Sequence, residues 1–276
     1  MNQVDVQIRR ADSIEDYQSA IELQKEVWGF TEEECVRRPL LLIGNRYGGS
    51  VLVAERPDGA ILGFAYALLC RTGGGAPFWW SHMTAVVPSW QGKDLGFQLK
   101  LAQRKDALEQ GIREIWWTFD PLQAVNAHFN LRKLGVTVRR LEENMYGISA
   151  SPLHHEMPTD RFIAEWRIDS PGVVDRASGE PPVILRDLDS MVRIFVAAGD
   201  RPQAPDLERE DSPLVFEIPL DFAAIVKTDR TLAMEWQKAV RTACRHYLLR
   251  GYEITDFMIP DKPRRQGLYV LERNAG

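Results

Sequence analysis

The sequence predicts a mixed α/β fold organised in two regions, residues 1–150 and 151–276. Strand-like and helix-like patterns follow one another in the order β-α-α-β-β-β-α-β-α-β over the first region. In the second region, two stretches rich in Pro, Asp and Ser, 169–182 and 200–213, predict loops between further strands and one long helix. A chain of 276 residues with 45% apolar side chains is long enough to bury one large core or two modest ones.

The first two elements have boundaries that are marked in the sequence. Residues 4–9 alternate apolar and polar side chains, which is typical of a strand. Ser13 and Asp16 have the spacing of a capping box, and apolar side chains then recur at helical spacing as far as Gly29. We therefore expect an amphipathic helix between Ser13 and Gly29.

A second, short helix is predicted directly afterwards. Thr31 and Glu34 again have capping-box spacing. Pro39 has no amide N–H to continue a helix, so it limits the segment. We expect Arg37 and Arg38 to follow this helix.

The remaining elements are predicted from apolar runs bounded by turn residues. Asp58-Gly59 between two such runs is a strong hairpin signal, and glycines 111 and 135 follow two helical patterns as C-terminal caps. The predicted strands are 50–55, 60–69, 78–87, 112–119, 136–141, 162–168, 183–186, 214–218, 252–259 and 268–271, and the predicted helices are 95–110, 126–134 and 231–250.

Composition and charge exclude several classes of protein. The net charge is −5, which argues against binding to nucleic acid, because that requires clustered positive charge. Neither a long apolar run nor a signal-peptide pattern is present, so we expect no membrane partner and a cytoplasmic location. The cysteines at 35, 70 and 244 lack metal-ligand spacing and fit a reducing compartment.

The segment that carries chemistry is residues 86–96, VVPSWQGKDLG. Here a buried strand ends, the chain turns through small and polar residues, and a long helix begins. Consecutive backbone N–H groups at such a helix N-terminus favour a phosphate group. Gly92 and Gly96 allow a ligand to approach the backbone, and Lys93 adds a positive charge. The segment lacks the Gly-Lys-Ser/Thr ending of a Walker loop and the spacing of a Rossmann fingerprint.

This segment resembles the signature Gln/Arg-x-x-Gly-x-Gly/Ala of the GNAT superfamily of acyl-CoA-dependent N-acyltransferases. Gln91 and Gly96 match, whereas Asp94 stands where the family usually has its middle glycine. Asn126 and Lys133-Leu134-Gly135 are similar to a second conserved region. The resemblance implies a mixed, mostly antiparallel central sheet flanked by helices in residues 1–150. Residues 151–276 would form a C-terminal α/β extension that covers or completes the acceptor site.

The resemblance also implies where the acyl donor, acetyl-CoA or succinyl-CoA, would bind. A cleft between the fourth and fifth strands would admit its pantetheine arm, which would pair with the backbone of Val86 and Val87. The thioester side would be flanked by Asn126, Phe129 and Asn130. The N–H groups that would hold the pyrophosphate are those of Gln91, Gly92, Lys93, Asp94, Leu95 and Gly96.

Asp94 is the main departure from the family pattern. Its carboxylate would repel a pyrophosphate by about 1 kcal/mol at surface-like dielectric. Asp is also a good N-cap, so its side chain could instead fold onto the N–H groups of the first helical turn. In that case it would compete with coenzyme A for the same donors.

Acyl transfer to an amine needs a base for the ammonium and gains from an acid for the leaving thiolate. Many members of the resembled family carry a tyrosine as acid, and Leu131 occupies that place here. His82 on the fourth strand is our candidate for the base, with a core histidine as the alternative. Tyr146, expected in a strand near the cleft, is a substitute acid. His128 could line the cleft or lie on a solvent face.

Arg37 and Arg38 are candidates for binding a carboxylate on the acceptor or the acyl group, with a solvated turn as the alternative. The sequence thus predicts an acyl-CoA N-acyltransferase that acts on a small-molecule amine, such as an amino acid, without a metal. The alternatives are a non-catalytic acyl-CoA-binding regulatory protein and a peptide or protein N-acetyltransferase. The sequence is compatible with a homodimer but does not determine the oligomeric state.

One internal similarity links the two regions. Val86-Val87-Pro88, a long helix and Gly111 are followed by a strand, and Glu217-Ile218-Pro219, a long helix and Gly251 are followed by another. The second copy lacks a glycine-rich turn. It is either a degenerate duplication of a GNAT-like half or a common strand–helix–strand unit that arose by chance.

Overall fold

The computed structural model describes residues 5–147, 157–180, 190–259 and 265–273. The chain divides into two compact units, the first comprising the described residues up to Trp117 and the second those from Thr118 onward. Both are mixed α/β structures with mostly antiparallel strands and flanking helices, so the predicted fold class is confirmed. The functional boundary at residue 150 stays a prediction.

The first unit builds a five-stranded sheet in the order β1-β2-β3-β4-β5. Its neighbours are antiparallel except for β4 and β5, which are parallel. The last two residues of β5 belong to the second unit. Its elements are β1 (Gln7–Arg10), α1 (Ile14–Trp28), α2 (Arg38–Arg46), β2 (Ser50–Glu55), β3 (Ile61–Arg71), β4 (Pro77–Val86), a 3₁₀ turn (Pro88–Trp90), α3 (Leu95–Glu109) and β5 (Glu114–Phe119).

Helix α1 begins where its capping box predicts. The Ser13 side chain accepts a hydrogen bond from the Asp16 N–H, and the Asp16 carboxylate accepts one from the Ser13 N–H. Arg9 donates to both Asp16 oxygens at 2.7 and 2.8 Å and to Glu55 at 2.7 Å. The Arg9 guanidinium therefore holds the pKa of the Asp16 carboxyl well below its usual range.

The prediction for α2 is wrong. Thr31 and Glu34 form an isolated turn, in which the Thr31 N–H donates to the Glu34 carboxylate at 2.9 Å. The helix begins at Arg38, with Pro39 in its first turn. Proline suits a first turn because the N–H that it lacks has no intrahelical partner there. Arg37 and Arg38 consequently start α2 rather than follow a helix.

The second unit orders six strands as β7-β6-β12-β13-β11-β8, antiparallel except for the pair β8 and β11. A separate short pair is formed by β9 and β10. Its elements are α4 (Ala124–Ala127), which continues as a π-helix (His128–Leu134), β6 (Thr137–Glu142), β7 (Arg161–Arg167), α5 (Pro171–Ala177), β8 (Val192–Phe195), β9 (Ala197–Ala198), β10 (Arg201–Pro202), β11 (Leu214–Pro219), α6 (Phe222–Thr228), α7 (Arg230–Leu249), β12 (Tyr252–Met258) and β13 (Gln266–Arg273).

The differences from prediction in the second unit concern short elements. The stretch 169–182, predicted as a loop, contains α5, which starts at Pro171 for the same reason that α2 starts beside Pro39. Helix α6 and strands β8, β9 and β10 were not predicted, and β10 lies in the stretch 200–213 that was predicted as a loop. The predicted strand at 183–186 lies outside the described residues. No helix in the described part of the chain is long and apolar enough to cross a membrane.

Candidate functional site

Strands β4 and β5 run side by side only near their beginnings. Within residues 77–119, all of which the structure describes, their ladder consists of Trp79 opposite Ile115 and Trp80 opposite Trp116. Strand β4 then continues to Val86. The two strands thus separate after the second pair, and Ser81 and Trp117 are the first residues beyond it. We call the place where the two strands separate the strand fork.

A β-bulge in β4 lies next to the strand fork. Tyr66 of β3 is opposite Met83, and Ala67 is opposite Ser81, so His82 is an extra residue in the ladder. Bulges re-aim side chains and are frequent beside active sites. The His82 side chain is exposed, and its ring lies edge-on to Tyr66 with ring centroids 6.0 Å apart. The surrounding protein lowers the pKa of His82 by desolvation, which favours the neutral imidazole.

The turn before α3 presents open backbone. The N–H groups of Gly92 and Lys93 donate no hydrogen bond in the part of the chain that the structure describes. Those of Leu95 and Gly96 are in the first helical turn, where no intrahelical acceptor exists. A Cβ atom added at Gly92 or at Gly96 would meet nothing within 4 Å. The turn therefore has donors and space for an anion.

Gln91 is less available to an anion than expected, because its N–H already donates to the Pro88 carbonyl at 3.3 Å. Asp94 adopts a left-handed backbone conformation with φ 70°. Its side chain makes no hydrogen bond to the start of α3, so it does not compete with coenzyme A for the N–H groups of the first helical turn. The Gln91 side-chain amide donates to the Val86 carbonyl at 3.0 Å and ties the turn to the end of β4. The Lys93 ammonium lies over the Trp90 ring at 5.3 Å.

The backbone of β4 presents different residues to its two sides. The Val87 N–H donates to Leu62 of the first unit at 2.9 Å, so it is directed toward β3 and does not suit the role expected for it. Because hydrogen-bonding directions alternate along an antiparallel strand, Thr84 and Val86 direct their backbone groups away from β3. Thr84 was missed because the sequence does not reveal which residues alternate toward the open side.

The strand fork also contains a polar cluster that sequence reasoning missed. Lys100 of α3 is 3% exposed. Its ammonium donates to Ser81 Oγ at 3.1 Å and to Gln103 Oε1 at 2.8 Å, and it lies 3.7 Å from the centre of the Trp117 ring. Burial lowers the pKa of Lys100 to about 7. A signal was present, since Lys100 and Gln103 share a helix face with Ala107, but their burial depends on tertiary packing.

The second unit contains the other predicted residues. Asn126 is exposed on α4, while Phe129 is half-buried and Asn130 is buried in the π-helix. Leu131 is fully buried, as a core side chain would be. Gly135 ends the helix in a left-handed conformation, as predicted.

Tyr146 was expected in a strand. It lies instead in the turn that follows β6, because β6 ends at Glu142. It is 51% exposed, and its hydroxyl lies 3.2 Å from Thr118 Oγ1. His128 is half-buried, and desolvation lowers its pKa. Among the described residues, no group of His, Cys, Asp and Glu side chains could hold a metal ion.

Comparison with known proteins gives one family. Residues 17–136 match the model of the acetyltransferase (GNAT) family. No curated protein matches the chain.

Solved structures that resemble part of this chain include three proteins of low sequence identity. A GNAT-family protein from Desulfovibrio desulfuricans is 19% identical over 59% of this chain and 99% of its own, with a TM-score of 0.48. The yncA protein of Salmonella typhimurium, solved with acetyl-CoA, is 21% identical over 60% and 95%, with a TM-score of 0.47. The ribosomal-protein-S18-alanine N-acetyltransferase from Escherichia coli is 14% identical over 61% and 97%, with a TM-score of 0.48.

Proposed function

Because residues 17–136 match the model of the acetyltransferase (GNAT) family, we propose that the protein transfers an acetyl or succinyl group from coenzyme A to the amine of a small molecule. An amino acid is the acceptor that we favour. The free cysteines at 35, 70 and 244 fit the cytoplasm as the place of this reaction.

The observation that carries this proposal is the open turn at residues 92–96. It combines unbonded N–H groups, the positive end of the α3 dipole and the Lys93 ammonium, and each of these attracts a pyrophosphate. Gly92 and Gly96 leave room for it. The backbone of Thr84 and the N–H of Val86, which face away from β3, would pair with the pantetheine arm like an added strand, while the Val86 carbonyl accepts from Gln91.

His82 would act as the base in this reaction. An ammonium has no lone pair for attack, so a proton must be removed before the amine can add to the thioester carbonyl. The imidazole is exposed and favoured in its neutral form, so it can accept that proton directly or through a water molecule.

Arg37 and Arg38 would recognise a carboxylate on the acceptor or on a succinyl group. Both side chains are exposed at the start of α2. A guanidinium binds a carboxylate through two parallel hydrogen bonds, which fixes its orientation as well as its charge. Such pairing would favour amino acids over amines that lack a carboxylate.

The proposal is tested by thiol release from acetyl-CoA and from succinyl-CoA with a panel of amino acids, polyamines and short peptides. We expect release with at least one acyl donor and free amino acids, and little with peptides. Turnover confined to peptides would replace the small-molecule acceptor with a protein substrate. No release with any amine would contradict the enzymatic function.

A second candidate is a protein that binds acyl-CoA without turnover. Leu131 at the place of the family's usual tyrosine favours it, since a buried leucine cannot donate a proton. Calorimetry distinguishes the two functions, because this candidate requires binding of acetyl-CoA together with no thiol release.

A further inference from the structure

The buried lysine at the strand fork has no role in the function proposed above. Its described neighbours come from three elements: Ser81 on β4, Gln103 on α3 and Trp117 on β5. None of these three side chains carries a charge. The titratable or charged side chains nearest in sequence to these residues on the same elements are His82, Arg104 and Glu114.

The cluster also contains a donor that lacks an acceptor. Gln103 is fully buried, and its Nε2 has no hydrogen-bond partner in the described part of the chain. A buried polar group of this kind is normally satisfied by an ordered water or a ligand. The strand fork is therefore a polar interior site.

The distance from the open turn to the strand fork suits coenzyme A. Val86 lies five positions after Ser81 on β4, which corresponds to about 16 Å at the rise of a β-strand. An extended pantetheine arm has a similar length. An arm anchored by its pyrophosphate at residues 92–96 and laid along β4 would bring its sulfur to the strand fork, where the Lys100 ammonium lies.

We propose that Lys100 is the general acid that protonates the sulfur of coenzyme A as the thioester is cleaved. This inference rests on the proposed function. As the carbon–sulfur bond breaks, its electron pair goes to sulfur and the Lys100 ammonium transfers one proton there, giving a thiol and an amide. The neutral lysine regains a proton from the nitrogen of the acceptor, which loses one as the amide forms.

The acidity of Lys100 suits this role. An ordinary lysine has a pKa near 10.4 and a thiol one near 8.5, so an ordinary ammonium is too weak an acid for efficient transfer. Burial lowers the pKa of Lys100 to about 7, which makes the transfer to a thiolate favourable. The protonated fraction falls as the pH rises through this value, so the acid-dependent part of the rate should fall as well.

The assignment also bears on Tyr146, the acid expected from the sequence. Tyr146 lies on an exposed turn, and its hydroxyl is close to Thr118 of β5. Lys100, by contrast, is buried beside β4. Leu131 leaves the usual position without an acid. Lys100 and Tyr146 are the two candidates compared, and a variant at each position distinguishes them.

The experiment compares Lys100→Met, Lys100→Arg and Tyr146→Phe with the wild-type enzyme. Methionine matches lysine in length and removes the proton, and arginine keeps the charge but holds its proton too tightly. Lys105→Met, on an exposed part of α3, is the matched control. Calorimetry with acetyl-CoA and circular dichroism verify binding and folding.

We expect kcat for acetyl-CoA to fall about 10²–10⁴-fold in Lys100→Met, as for loss of a general acid. Lys100→Arg should not restore it, and both variants should lack the decline in rate above pH 7. With S-(4-nitrophenyl) thioacetate, whose thiol is far more acidic, the deficit should shrink at least tenfold. A purely structural lysine would not produce this dependence on the leaving group.

Retention of wild-type kcat and pH profile in Lys100→Met would overturn the assignment. So would a leaving-group dependence that is lost in Tyr146→Phe instead. If Lys100→Met does not fold, the same readouts in Lys100→Arg decide the question. Absence of turnover in the wild-type enzyme would refute the proposed function, and the acid role with it.

Discussion

Two strand–helix–strand segments of the molecule share an order of elements but differ in how their strands meet. In the first unit, β4 and β5 on either side of α3 are direct neighbours that separate after two pairs. In the second unit, β11 and β12 on either side of α7 never meet, because β13 lies between them. Strand β13 forms six registered pairs with each of them. The second segment therefore has no fork.

The interiors differ accordingly. The middle of the second segment is aromatic, with Phe216 and Phe257 packed around Tyr269 at ring separations of 5.0 and 4.8 Å. The strand fork of the first segment contains Ser81 and Lys100 instead. Where two strands separate, backbone groups and polar side chains stay available to a ligand. Where a third strand lies between them, it takes up their hydrogen bonds. The order of elements alone does not create a site.

The largest expected effect concerns the bulge residues of the two segments. His82 is the extra residue of β4, and Thr255 is the extra residue of β12, where it donates to Glu272 at 2.7 Å. Loss of a general base lowers rates by about 10²–10⁴. We expect His82→Ala to reduce kcat at least tenfold with unchanged acetyl-CoA affinity, His82→Gln not to rescue it, and Thr255→Ala to have no effect.

The pH profile sharpens this test. The wild-type rate should rise with pH through the lowered pKa of His82, because only the neutral imidazole accepts a proton. The variant should lack this rise and recover rate at alkaline pH as free amine accumulates. A His82→Ala protein with full activity and the wild-type profile would make His82 a structural residue.

The second prediction compares the two helix starts. Gly96 and Thr231 occupy the same position, the second residue, of α3 and α7. Gly96→Glu places an anion in the open turn, where no atom lies within 4 Å to be displaced. We expect calorimetry to show at least tenfold weaker binding of coenzyme A, and Thr231→Glu to leave it unchanged. Equal affinity in a folded Gly96→Glu protein would remove the pyrophosphate site from this turn.

The third prediction tests how the two helices are capped. The Asp229 side chain accepts the Leu232 N–H at 2.9 Å, whereas Asp94 caps nothing at the start of α3. Asp229→Ala should lower the free energy of unfolding by about 1 kcal/mol, the usual contribution of such a cap. Urea denaturation measures it. An unchanged midpoint would mean that solvent replaces this cap without cost.

The smallest effect is expected for Asp94→Gly. Asp94 has φ 70°, a conformation that costs a non-glycine residue about 1 kcal/mol. Glycine removes this strain and the carboxylate beside the proposed phosphate site. We expect a gain of up to about 1 kcal/mol in stability and equal or tighter binding of coenzyme A. A large loss of affinity would give Asp94 a positive role in binding.

Features fixed by neighbouring residues were predictable from the sequence. The Ser13–Asp16 capping box and the glycine at 135 occur as predicted because a few adjacent residues determine them. Pro39 was misread because proline suits both the end of one helix and the first turn of the next.

Features of the candidate site that depend on packing were not predictable. Lys100 is polar in sequence but buried in the fold, and the bulge at His82 appears only when β3 and β4 are paired. The open turn at residues 92–96 was predictable because its glycines and its place between a strand and a helix are local features.

The bulge in β4 has a consequence for how this protein could evolve. The partners on either side, Ser81 with Ala67 and Met83 with Tyr66, account for the β3 ladder without His82. Deleting His82, unlike deleting a paired residue, would leave a regular strand with every side chain on its present face. The proposed base is thus carried by a residue that the sheet does not need. Residue 82 can therefore be substituted or deleted during evolution, and the chemistry changed, without altering the pairing of β3 and β4.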